Sequence, residues 1–150
     1  MPRQTLRIID ANYNRIGEGA TLILPVFHPG GLFFLGDGHA LQADGEPLGT
    51  GIETSMEVEF QVELRKKARV SMPRVETGDA IISVASQPEF ASSLDRALQM
   101  ATTDMWRWLV NAYKLEPWAA HQMIGMHGSY HVVTVAGSMA LEIPKKWLPR

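Results

Sequence analysis

The sequence predicts one α+β domain that is rich in β-strands: mostly antiparallel, sandwich-like sheets, a carboxy-terminal helix pair and a closing strand pair. Residues 5–87 consist of short apolar or alternating runs broken by Gly, Pro and Asn, which is typical of strands. The apolar spacing changes to three and four residues over about 92–125, and strand-like runs return at about 130–143. No linker or internal repeat interrupts the chain, so we expect a single domain over residues 1–150.

The amino-terminal strands are predicted from their boundaries and their alternation. Residues 21–26 are an apolar run between two glycine-containing segments, typical of a buried strand. Residues 56–64 alternate apolar side chains with glutamates and a glutamine, so we expect a half-buried antiparallel strand with a wet acidic face. Residues 69–72 and 80–86 continue the strand pattern, and residues 76–79 form the turn between them.

The first helix is predicted by apolar residues that recur at three- and four-residue spacing from Leu94 to Ala112. Ser92 and Asp95 can form a capping box at its start, and we expect it to end at about residue 113 or 114. The periodicity places Asp104 on the polar side of this helix.

The second helix is predicted to begin at Pro117, a favourable first-turn residue, and to run to about Ile124 before Gly125 or Gly128. Residues 130–135 and 139–143 then form the closing strand pair. The carboxy-terminal histidines, including His131, are expected to pack or to face solvent.

Composition excludes several classes of function. The chain has 14 Lys+Arg against 16 Asp+Glu, so it has no excess of positive charge with which to bind nucleic-acid phosphates. No apolar run has the length of a signal peptide or a membrane span, so we expect a cytoplasmic protein without a membrane partner. The absence of cysteine removes thiolate ligands and every cysteine nucleophile.

A glycine-rich segment at residues 36–53 carries the polar residues that could perform chemistry. They are Asp37, His39, Gln42, Asp44, Glu46 and Glu53. In an extended backbone, residues two apart project to the same side, so Asp37 pairs with His39. An imidazole with one or two carboxylates suits a divalent cation, and an open coordination position would activate water. A polar hairpin, in which Asp and Gly only make turns, is the competing interpretation.

This segment and the run before it resemble the acetamidase/formamidase family. The family's hallmark is a Gly-Asp-x-His stretch followed by Gln-Gly-Asp-Gly-Glu and Gly-Thr-Ala-Ile-Glu. The corresponding residues here are Gly36-Asp37-Gly38-His39, Gln42-Ala43-Asp44-Gly45-Glu46 and Gly49-Thr50-Gly51-Ile52-Glu53. The likeness extends from about Asn12 through both helices to the closing strand.

The resemblance implies a hydrolase that acts on the C–N bond of short linear amides such as formamide or acetamide, releasing a carboxylate and ammonia. It also implies a homo-oligomer and a divalent metal, with zinc expected and calcium or manganese as alternatives. Family members are about twice as long as this chain, so we expect the resemblance to cover their carboxy-terminal portion and their amino-terminal half to be absent here. A separate partner chain could supply that half.

The nucleophile is expected to be activated water. A cysteine route is impossible, and no serine lies in a recognisable nucleophile turn. We expect Asp37, His39 and a further carboxylate, Glu46, to hold the metal. Asp44 or Glu53 would then carry the proton, although Glu53 could instead continue the acidic face of residues 56–64.

Gln42 and His28 are the candidate substrate-binding residues, although a histidine beside Pro29-Gly30, as His28 is, is more often an ordinary loop histidine than a ligand. The main alternative function is a truncated, non-catalytic relative that acts as a metal-binding or oligomerisation module. A cupin-like metal enzyme ranks last, because further histidines at useful spacing are lacking.

Overall fold

A computed structural model describes residues 13–68, 70–87 and 93–149, and its strands form one antiparallel sheet. The elements in chain order are β1 (Thr21–Ile23), β2 (Arg74–Glu76), β3 (Ala80–Ala85), α1 (Leu94–Asn111), α2 (Pro117–His127), β4 (Ser129–Thr134), β5 (Ser138–Pro144) and a short 3-10 helix (Lys145–Trp147). The strand order across the sheet is β1-β2-β3-β5-β4. The predicted α+β class, helix pair and closing strand pair are therefore confirmed.

Strand β3 lies at the centre of the sheet and is covered on both faces, which explains its continuous apolar sequence. On one face, Ile81 joins a cluster with Met105 and Leu109 of α1. On the other face, Ile82 and Val84 pack with Tyr13, which precedes the first strand. No helix in the described ranges is long and apolar enough to cross a bilayer.

The helix ends differ from the prediction by a few residues. Ser93 caps α1 by accepting a hydrogen bond from the Arg96 amide at 3.2 Å, whereas Ser92 lies outside the described residues. Helix α1 ends at Asn111, and Lys114 adopts a left-handed φ of 57° shortly after it. Helix α2 extends one turn further than expected, and Gly128 caps it.

Asp104 corrects the expected polar face of α1, because its side chain is only 2% exposed. Arg74 binds it with two hydrogen bonds, at 2.8 Å to Oδ2 and 3.0 Å to Oδ1. The Ser83 hydroxyl also donates to Oδ2 at 2.9 Å, and the guanidinium lies over the Trp108 ring. A carboxylate can be buried here because it is paired and hydrogen-bonded, so it joins α1 to the sheet.

Two predicted strands are absent from the described sheet. Residues 56–64 form no strand, and their apolar and acidic side chains are both exposed, so the prediction of a half-buried strand was wrong. The alternation is present, but no neighbouring strand in the described chain pairs with it. The predicted strand at residues 69–72 was also wrong where it is described: Ser71 and Met72 are in no strand, and β2 begins at Arg74.

Candidate metal and active site

Residues 38–41 and 51–54 run antiparallel as a short ribbon outside the main sheet. The Ala40 amide donates to the Ile52 carbonyl at 2.8 Å, and the Ile52 amide donates to the Leu41 carbonyl at 2.9 Å. This register makes His39 and Glu53 a bridged cross-strand pair, so their side chains share one face. The ribbon therefore brings together two residues that lie 14 positions apart in sequence.

The His39 imidazole faces two carboxylates. Its Nε2 atom lies 3.0 Å from Oε1 of Glu53 and 3.5 Å from Oδ1 of Asp37. One ligand atom from each of the three residues lies within 4.8 Å of the others. The His39 side chain is 6% exposed, whereas those of Asp37 and Glu53 are 53% and 58% exposed. The group is thus anchored on the histidine side and open to solvent on the carboxylate side.

Gln42 fixes the tautomer of His39. Its Oε1 atom lies 2.7 Å from Nδ1 of the imidazole, and because an amide oxygen only accepts, Nδ1 must carry the proton. This hydrogen bond is the main cause that raises the pKa of His39 above its ordinary value, and burial opposes it. The carboxylates of Glu53 and Asp37 raise that pKa further. The Nε2 atom is therefore the one presented to a proton or a cation.

The donor set fits a divalent cation. A neutral imidazole nitrogen and two carboxylates supply three ligands and two negative charges, and the exposed side leaves room for water or substrate. The hydrogen bond from Nδ1 to Gln42 is the kind of outer-shell contact that orients metal-ligating histidines. The Thr50 hydroxyl orients the third ligand by donating to Oε1 of Glu53 at 2.9 Å.

Of the predicted residues, the structure groups Asp37 and His39 with Glu53 and leaves the others outside this group. Glu46, the expected third ligand, lies in the turn at residues 43–49, where its amide bonds the Ala43 carbonyl and its carbonyl accepts from Gly49. His28 lies in an exposed turn before the ribbon. Gln42, expected to bind substrate, lies outside the group and contacts Nδ1 of His39.

Asp44 belongs to a second polar cluster that the sequence did not indicate. Its carboxylate accepts from the Asn14 side chain at 2.9 Å and lies 3.4 Å from Nδ1 of His131. The other imidazole nitrogen of His131 lies 3.7 Å from Glu142, which also pairs with Arg15 at 3.3 Å. The partners are up to 127 residues apart in sequence, so no local motif could have identified them.

This second cluster fastens the site-bearing loop to the sheet. Besides the contact between Asp44 and His131 of β4, the Gly45 carbonyl accepts from the Val135 amide at 2.8 Å. Gly45 has a φ of 87°, and a β-carbon there would lie 3.2 Å from the Val135 side chain, so the close approach requires glycine. The cluster supports the loop and lies apart from the three candidate ligands.

The sequence profile of the Acetamidase/Formamidase family matches residues 3–105 of the chain. No curated protein sequence matches it. Among solved structures, an acetamidase from Yersinia enterocolitica has a TM-score of 0.84 and 31% identity over 93% of this chain and 42% of its own. The chain thus spans less than half the length of that relative.

Two further solved structures are similar to most of this chain over less than half of their own length. An acetamidase from Bacillus halodurans has a TM-score of 0.81 and 27% identity, over 91% of this chain and 46% of its own. A predicted acetamidase/formamidase from Thermoanaerobacter tengcongensis has a TM-score of 0.73 and 26% identity, over 91% of this chain and 45% of its own.

Proposed function

The chain belongs to the acetamidase/formamidase family, and from that premise we propose that it hydrolyses short linear amides of the formamide or acetamide type to a carboxylate and ammonia. The observation that carries the proposal is the group formed by Asp37, His39 and Glu53, with Nε2 of the imidazole directed at both carboxylates. Two of the similar solved structures are acetamidases, which supports the same chemistry.

We propose that this group holds a divalent cation, with zinc favoured and manganese or calcium as alternatives. A mixed nitrogen and oxygen donor set with one open side resembles catalytic zinc sites. When bound, such an ion supplies Lewis acidity and lowers the pKa of coordinated water towards neutrality. Because Gln42 occupies Nδ1, the remaining nitrogen of His39 is held in the orientation that a metal ligand needs.

The residues around the group have distinct roles in this proposal. Asp37 and Glu53 each offer one carboxylate oxygen to the cation, and the second, exposed oxygen of either would take a proton from the attacking water and return it to the amide nitrogen, which leaves as ammonia. Glu53 is kept in place by the Thr50 hydroxyl. Asp44, expected from the sequence to carry the proton, is positioned to support the loop through Asn14 and His131.

A second candidate function is a non-catalytic module that binds metal or associates with another chain. It is favoured by the many apolar side chains exposed between residues 26 and 64. The relatives are more than twice as long as the part matched here, so a pocket completed by further chain is consistent with either function. A homo-oligomer, a partner chain and a cytoplasmic location stay predictions.

The two functions are separated by measuring metal content and ammonia release on the same samples. Purified chain would be stripped with chelator, reloaded with zinc, manganese or calcium, and assayed with formamide, acetamide and propionamide. Metal-dependent ammonia release that is lost in His39→Ala, and kept in the control variant His121→Ala on the exposed side of α2, is the expected result. A folded, metal-loaded chain without turnover would support the module.

A further inference from the structure

His131 on β4 lies between two carboxylates that belong to different parts of the fold. Its Nδ1 atom lies 3.4 Å from Oδ2 of Asp44, in the connecting loop (residues 42–50) that joins the two sides of the ribbon. Its Nε2 atom lies 3.7 Å from Oε2 of Glu142 on β5 and is buried without a hydrogen-bond partner in the described chain. A neutral imidazole has one N–H and can donate to only one of these carboxylates, whereas an imidazolium can donate to both.

The described groups that face His131 carry one net negative charge. Asp44 and Glu142 supply two negative charges, and Arg15, which pairs with Glu142 at 3.3 Å, supplies one positive charge. The Tyr13 ring packs beside the imidazole, with the two ring centroids 6.4 Å apart. Burial raises the pKa of Tyr13, so its hydroxyl adds no charge. An imidazolium at His131 would neutralise the remaining negative charge.

Asn14 connects this cluster to the candidate metal site. Its side-chain amide donates to Oδ1 of Asp44 at 2.9 Å and to the Gln42 carbonyl at 3.3 Å, so one amide contacts two residues of the connecting loop. The side chain of Gln42 in turn contacts Nδ1 of His39 at 2.7 Å. A continuous series of polar contacts therefore runs from the main sheet to the imidazole of the candidate site.

We propose that His131 is a positioning residue, whose protonation tightens the attachment of the connecting loop to the sheet and thereby orders the ribbon that carries His39. As an imidazolium it binds Asp44 and Glu142 together, and as a neutral ring it releases one of them. The hydrogen bond from Asn14 lowers the pKa of Asp44, which therefore stays ionised while histidine changes charge, between about pH 5 and 8. The attachment is strongest at the acidic end of that range and weakens towards the alkaline end.

Hydrogen exchange in the metal-free chain tests the proposal without reference to hydrolysis. The Val135 amide donates to the Gly45 carbonyl at 2.8 Å and reports the attachment of the connecting loop, whereas the Ala40 and Ile52 amides report the order of the ribbon. At about pH 5.5, protection in wild type should exceed that in His131→Gln by about tenfold at Val135 and about threefold at the ribbon amides. The two chains should converge by about pH 8, because His131 is then neutral.

Two further variants separate the protonation of His131 from other effects. Glu142→Gln removes the carboxylate that only the imidazolium can bind together with Asp44, so the excess protection at about pH 5.5 should again be lost. His121→Gln is the matched control, because His121 is exposed on α2, and it should leave protection unchanged at every pH. Other titrating groups, His39 included, are common to all these chains, so their effect cancels in the ratio. Equal protection of the β3 amides shows that each variant is folded.

Either of two results overturns the proposal. If the ratio of protection between wild type and His131→Gln does not change with pH, His131 is only a structural contact. If the ratio changes at Val135 but not at Ala40 and Ile52, the attachment does not position the site.

The inference rests on the proposed function only in its consequence for metal binding, which zinc titration of the same chains measures separately. The affinity lost in His131→Gln should be larger at about pH 6 than at about pH 8. A wild-type chain that binds no zinc at either pH contradicts the proposed function, whereas hydrogen exchange still decides the role of His131.

Discussion

The Nδ1 atom of His39 lies 2.7 Å from the side-chain oxygen of Gln42, three residues further along the chain. This contact directs the opposite ring nitrogen at Glu53 and Asp37. Gln42 therefore acts on the candidate metal site through His39, without being one of its three candidate ligands. An outer-shell residue of this kind determines both the orientation and the basicity of the ligand that it touches.

Gln42→Leu is expected to weaken zinc binding by about 10–100-fold, because His39 loses the acceptor that fixes its ring. In the metal-free chain, the same variant should lower the pKa of His39, since the bond to Gln42 is the main cause that raises it. Competition titration with a fluorescent chelator and NMR of the imidazole measure the two effects. Gln42→Glu, which keeps an accepting oxygen, should retain affinity. Equal affinity in wild type and Gln42→Leu would contradict the assignment.

Glu53 rather than Glu46 is expected to be the carboxylate that binds the metal with His39. Glu53→Gln removes a charged oxygen next to Nε2 and should weaken zinc affinity about tenfold or more, which corresponds to about 1.4 kcal/mol. Glu46→Gln is the matched control, because that side chain is outside the group, and should leave affinity unchanged. Calorimetric titration of both variants decides the point. A larger loss in Glu46→Gln would restore the assignment made from sequence.

The sequence predicts part of the site because local spacing determines it. Asp37 and His39 lie two residues apart in extended backbone, so their common face follows from strand geometry. The identity of the third candidate ligand depends on the register of the ribbon. That register bridges His39 to Glu53, whereas Glu46 lies in a turn with a φ of 43°. Loop length and turn type set that register, and the spacing of polar residues does not reveal them.

Long-range contacts explain the other differences between prediction and structure. Helical periodicity placed Asp104 among polar residues of α1, but Arg74, 30 positions earlier, binds it inside the core. Similarly, His131 meets Asp44 across 87 positions. Apolar and polar side chains alternate over residues 56–64 as in a strand, but alternation does not reveal whether a partner strand is present. Local periodicity was sufficient for β3 and α1, whose cores follow directly from it.

The ion pair of Arg74 with Asp104 is expected to matter for stability mainly because the loss of one partner leaves the other as an unpaired buried charge. Arg74→Met leaves a buried carboxylate without its counter-charge and should lower the free energy of unfolding by about 3–5 kcal/mol. Arg74→Met/Asp104→Leu should lose less, because no unpaired charge remains. Urea unfolding of both variants measures these free energies. Arg96 is exposed, so Arg96→Met is the control and should remain within about 0.5 kcal/mol of wild type. A double variant less stable than Arg74→Met would contradict the expectation.

Loop anchoring through Asp44 is expected to depend on pH. The hydrogen bond from Asn14 is the main cause that lowers the pKa of Asp44 below its ordinary 3.8, and His131 lowers it further. A carboxyl whose pKa is lower in the folded state stabilises the fold above its unfolded pKa, and loses that contribution as pH falls through the folded value. Stability should therefore decrease below about pH 4 more steeply in wild type than in Asn14→Ala. Urea midpoints between pH 6 and pH 2.5 provide the measurement. In an Asp44→Asn background the Asn14→Ala change should no longer alter the slope, and an unchanged difference there would show that another group is responsible.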